Sequence, residues 1–159
     1  MKKKIEKIYL MNSKDHYLAL INMYQAAPMT KMFPADLQIE QGKAIISLII
    51  KEDYFHVAQG LHGSVYFKLL DDASAFAAYS ITQSFFAYTA NFNINFTAPV
   101  TQGKITAVGE LVKHEGKKLF TTSRLFNELG LEVANAEGLF IQGSKVFMDI
   151  PSYKESFSS

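Results

Sequence analysis

The chain contains no cysteine. That absence excludes disulfide staples, thiolate nucleophiles and zinc ribbons, and it points to a reducing cytoplasm as the working compartment. An excess of one charge is lacking too: 16 lysines and arginines stand against 15 aspartates and glutamates, a formal net charge of +1. So even a balance gives no general attraction to nucleic acid or to an anionic membrane. The basic clusters MKKKIEK and KHEGKK are short, and the first reads as a solvated tail. Long hydrophobic runs are missing as well. The IYLM after the first lysines is too short for the core of a secretory signal, and no later stretch reaches the roughly 20 apolar residues that cross a bilayer.

What is present suffices for one domain, with 159 residues of which 48% are apolar. From Ser13 to Ala27 the apolar Leu18, Leu20, Ile21 and Tyr24 recur at helical spacing, with Ser13 placed as a cap and Pro28 just past the end, which predicts a packing helix. Residues 37–50 hold two strand-like runs around Gln41-Gly42-Lys43, a hairpin composition. The stretch 60–80, GLHGSVYFKLLDDASAFAAYS, predicts a second helix that is apolar nearly all the way round. Beyond it the period falls to two. Positions 90, 92, 94 and 96 are apolar while 89, 91, 93, 95 and 97 are Thr or Asn, the pattern of a strand with one wet face. Further strands are predicted at 104–113, 118–128 and 131–142, with turns at Glu115-Gly116 and Leu129-Gly130, and the tail ending ESFSS reads as loose.

Hairpin, long helix and four-stranded meander define an α+β chain whose antiparallel sheet lies across one helix. A helix with Val65, Tyr66, Phe67, Leu69, Leu70, Phe76 and Tyr79 around its axis must be covered on nearly every side. A curled sheet covers part of it, and another copy of the chain could cover the rest.

Two places on this helix carry chemistry. Asp71 and Asp72 are adjacent carboxylates in greasy surroundings. Either one helical turn reaches solvent there and Lys68 pairs with them, or one of the acids is a working group, made more basic by desolvation. Being about 100° apart on the helix, the two cannot share Lys68 equally. The helix entrance is the second place. Its first N–H groups have no internal partners and sit at the positive end of the macrodipole, so Gly63 is either a tight turn or an unobstructed oxyanion donor. Gly63 and Asp71 are eight residues apart, about 12 Å along one helix axis. If both act on one carbonyl, they must come from two antiparallel helices across a two-fold axis, and the protein works at least as a dimer.

His62-Gly63-Ser64, Asp71 nine residues after the histidine, the small-residue run that follows, Thr89 opening a strand, and Asn95-Phe96-Thr97-Ala98-Pro99-Val100 with Gly103 beyond form a set. Together they resemble the hot-dog fold acyl-CoA thioesterases of the phenylacetate-catabolism type, over roughly residues 35–145. The resemblance implies an antiparallel sheet wrapped around one long helix, dimers or tetramers with active sites between subunits, and acyl-CoA as substrate. It divides the chain into an N-terminal tail and packing helix (1–30), a hot-dog domain (31–147) and a C-terminal tail (148–159).

Carried over residue by residue, the resemblance makes Gly63 the backbone donor that polarises the thioester carbonyl, and Asp71 the nucleophile or the base that activates water. Thr89 would position that carboxylate or water. His56 stands where relatives have an amide near the thioester, so it either shares base duty or bonds a loop. His62 and Ser64 would contact substrate; Ser64 replaces a usual second glycine, and its hydroxyl either caps the helix or narrows the acyl pocket. Asp72 is assigned to structure, beside Lys68. No cofactor or metal is implied, since coenzyme A arrives as part of the substrate and His16, His56, His62 and His114 show no ligand spacing. Its phosphates would lie near Lys113, Lys117, Lys118 or Arg124. A carrier that binds acyl-CoA without cleaving it, or a dehydratase on the same fold, is the alternative.

Overall fold

In the computed structural model residues 13–158 are described, so the MKKKIEK tail and the IYLM run lie outside the described residues. The first helix, α1 (Ser13–Ala26), keeps Ala19, Leu20, Met23 and Tyr24 on one buried side. Pro28 starts the short α2 (Pro28–Met32) where a missing N–H costs nothing. The hairpin follows as β1 (Asp36–Glu40) and β2 (Lys43–Ile49), turned at Gly42 with φ +72°. The central helix α3 (Gly63–Tyr79) is succeeded by β3 (Phe85–Phe96), β4 (Lys104–Glu115), β5 (Lys118–Phe126) and β6 (Glu132–Val146).

The six strands form one antiparallel sheet in the order β1-β2-β4-β5-β6-β3, leaving β1 and β3 as edges. Its concave face wraps α3, the hot-dog arrangement. Leu69, Leu70, Ala73 and Ala77 of the helix meet Ile46, Ile105, Ala107, Leu119, Leu125 and Phe140 of the sheet, all without solvent exposure. Closest approach falls at Gly109, where a Cβ would stand 2.3 Å from the Ala73 carbonyl, so only glycine lets helix and sheet touch there.

Two expectations are corrected. The C-terminal segment is not loose: Phe147 and Tyr153, the latter on the single turn α4 (Pro151–Lys154), are fully buried and their rings stack at 5.2 Å. Tyr153 O–H donates to His16 Nδ1 at 2.7 Å, while His16 Nε2 donates to the Tyr79 carbonyl at 2.8 Å. A carbonyl only accepts, so the buried ring is the neutral Nε2–H tautomer; burial holds its pKa below the usual histidine value. The sequence signal was there, with Ile150, Tyr153 and Phe157 at helical spacing.

The second correction concerns β3. It begins at Phe85, and its pairing with β6 shifts between Thr89 and Asn91, so that Ala90 has no opposite number. This bulge reverses the alternation. Asn91, Asn93 and Asn95 keep the wet face, but Thr89 turns to the helix side with Ala87.

Candidate active site

The entrance to α3 is organised by its own side chains. His62 is the N-cap: its Nδ1 accepts the Ser64 N–H at 3.1 Å and lies 2.7 Å from Ser64 Oγ. Capping therefore falls to His62 and not to the Ser64 hydroxyl. With Nδ1 accepting, Nε2 carries the ring proton, and both side chains are exposed. The next N–H, that of Gly63, has no partner among the described residues. A Cβ there would meet only the Phe96 ring at 3.5 Å. His56 caps its own loop, accepting the Ala58 N–H on Nδ1 at 3.1 Å, and its ring lies against Gly60. His56, Gly63, Tyr66 and Phe96 line one cavity of about 460 Å³.

Two turns further along α3 the surroundings change. Asp71 Oδ1 accepts from Thr89 Oγ1 at 2.9 Å across to β3. Burial pushes the Asp71 carboxyl up to about 6, against the Thr89 hydrogen bond, with the neighbouring Asp72 charge adding to the rise and Lys68 opposing it. Asp72 points elsewhere, as the 100° offset requires, and binds Lys68 Nζ at 2.5 Å. The Lys68 nitrogen also donates to Tyr24 Oη at 3.1 Å, which ties α3 to α1. Asp71, Asp72 and Thr89 line a second cavity of about 510 Å³ together with Tyr24, Phe76, Tyr79 and Phe86.

Within one chain, then, the residues singled out in the sequence fall into two groups. His56 and Gly63 share one cavity, Asp71 and Thr89 the other, and no residue lines both. His62 and Ser64 border the first group and are engaged with each other. Phe76, Tyr79 and Phe86 line the Asp71 cavity, whereas Phe85 is exposed. Sequence reasoning missed the α1 wall, Met23 and Tyr24 with Ala27, because periodicity marks a buried face without saying what it faces. Of the candidate phosphate contacts, Lys113 pairs with Glu115 and Arg124 with Glu132. Among the described residues no cluster of three or more His, Asp or Glu could hold a metal, and no helix is long and apolar enough to cross a membrane.

Residues 59–134, which carry α3 and β3 to β5, match the model of the thioesterase superfamily. The chain thus has the hot-dog fold, and a segment just under half its length is similar to the thioesterase superfamily, in line with the His62-to-Gly103 pattern. A protein of Saccharolobus solfataricus described as a candidate esterase is 25% identical over 77 residues, 48% of this chain and 55% of that one. The chain spans about half the length of that relative. Among solved structures, the PaaI protein of E. coli, from the phenylacetic acid degradation operon, has TM-score 0.77 at 20% identity, covering 84% of this chain and 97% of its own. A thioesterase of Staphylococcus aureus has TM-score 0.69 at 17% identity, covering 73% and 98%. These structural likenesses speak for the fold.

Proposed function

We propose that the protein hydrolyses acyl-CoA thioesters at sites shared between two protomers. The Gly63 N–H of one protomer, at the positive end of α3, receives the developing oxyanion; Asp71 of the other attacks the carbonyl or takes a proton from water. Thr89 holds the carboxylate, and His56 lies beside the oxyanion position. The chemistry calls for no metal or cofactor. A single observation supports the proposal: an unpaired helix-start N–H and a carboxylate of raised pKa sit in separate cavities of one chain, a gap that an antiparallel pairing of two chains would close.

The test is release of free thiol from short, long and aromatic acyl-CoAs, with wild type beside Asp71→Asn. Equal rates on the best substrate would remove Asp71 from the mechanism. Sharing is tested by mixing Asp71→Asn with Gly63→Pro, which deletes the N–H at a helix position that tolerates proline. Random dimerisation of two inactive variants restores about a quarter of wild-type activity if the site is shared. A site contained in one chain regains nothing.

A further inference from the structure

The Asp71 cavity has a charged feature that the proposed hydrolysis does not use. Its wall is mostly apolar, with Met23, Ala27, Met29, Phe76 and Phe86, yet Lys68 lines it as well. That lysine is 9% exposed. Its ammonium carries three N–H donors. Asp72 Oδ2 takes one at 2.5 Å and Tyr24 Oη another at 3.1 Å. The third has no acceptor among the described residues; the ammonium also lies over the faces of Tyr24 and Phe33, with ring centres at 5.1 and 5.9 Å, and its charge reaches Asp71.

Stability does not explain this lysine. A pair taken out of water recovers little net energy, and apolar residues of similar volume often do as well. The order along the helix, lysine four residues before the acid, is also the weaker of the two. A nearly buried donor without an acceptor costs free energy until something in the cavity supplies one.

Resting on the hydrolase reading, we propose that Lys68 is a specificity residue: the preferred acyl group carries a neutral oxygen, a hydroxyl or a carbonyl, within a few bonds of the thioester carbon. Location follows from the helix. Lys68 precedes Asp71 by three residues, so their side chains are neighbours on one face, about 5–6 Å apart at Cβ. The oxygen is therefore close to the reacting carbonyl and not at the end of a long tail. Neutrality follows from charge, because Asp71 and Asp72 line the same cavity and a substrate carboxylate would meet two acids against one ammonium.

The experiment compares kcat/KM for hexanoyl-CoA, for 3-, 4- and 5-hydroxyhexanoyl-CoA, and for the dicarboxylic adipoyl-CoA. It uses wild type and Lys68→Met/Asp72→Leu, which removes both charges together and leaves neither unpaired. In wild type one hydroxy isomer exceeds hexanoyl-CoA by about tenfold or more, as for a site whose buried polar group goes unpaired with the plain analogue. In the double variant that ratio falls to about one. Hexanoyl-CoA equal to or better than every hydroxy isomer, adipoyl-CoA as the best substrate, or an undiminished ratio in the double variant would each overturn the proposal. The wild-type series alone can do so if the variant does not fold. Absence of thiol release from every ester sinks the hydrolase reading instead; the same ratio, measured as dissociation constants by calorimetry, then decides the role of Lys68.

Discussion

The two ends of the proposed site are built on one helix by opposite means. At its start, a three-residue stretch closes on itself: His62 caps, Ser64 supports, and the Gly63 N–H has no partner among the described residues. The side chains of His62 and Ser64 there are exposed. In its middle, the surroundings of Asp71 draw on two other elements besides its own helix, with β3 sending Thr89 to the carboxylate and α1 sending Tyr24 to Lys68 one turn before it. There burial controls proton affinity. An oxyanion donor needs direction only, which the backbone supplies at no electrostatic cost, while a working carboxylate needs a changed environment, which only tertiary packing can provide.

The largest effect expected from disturbing this contrast is on turnover. Asp71→Asn lowers kcat by about a thousandfold or more, whereas Asp72→Asn changes it severalfold. The same substitution reads out the energy stored in the middle of the helix. A carboxyl held near 6 when folded and at 3.8 when unfolded binds its proton more tightly in the folded state, so its contribution to stability falls as pH rises through that window. Asp71→Asn therefore melts higher than wild type at pH 8, and the difference vanishes towards pH 4 in thermal unfolding. Wild-type rate should rise with pH through about 6, the value to which Asp71 is pushed.

At the helix start, Gly63→Pro costs about 100-fold in kcat, as for loss of one oxyanion donor, with melting temperature nearly unchanged. A comparable loss of melting temperature would mean that the entrance is structural. Lys68→Ala destabilises by about 2 kcal/mol in denaturant unfolding; this lies below the cost for a fully buried pair, because Asp72 keeps 24% exposure. Thr89→Val lowers kcat only roughly tenfold and moves the pH midpoint upward, since the Thr89 hydrogen bond favours the ionised carboxylate.

How much was legible in the sequence follows the same division. The central helix, the hairpin and the four later strands were readable from period alone, since each buries one face or, for α3, nearly all of them. The separation of Asp71 from Asp72 was readable too, because 100° per residue is geometry and not environment. Thr89 was different. Strict alternation put it on the wet face with the asparagines, and a bulge that no local composition announces turned its hydroxyl toward Asp71 on the helix. Tyr153 and the C-terminal turn escaped because a polar ESFSS ending masked three apolar residues at helical spacing.

The unpaired Ala90 marks a phase boundary in β3. Removing that one residue would make the pairing continuous from Ala87 to Phe96, and the residues just before it would rotate half a turn about the strand axis. The threonine hydroxyl would then leave the acid for solvent, with not one side chain chemically altered. An inserted methyl-bearing residue with no opposite number in the ladder thus determines which way a neighbouring side chain points.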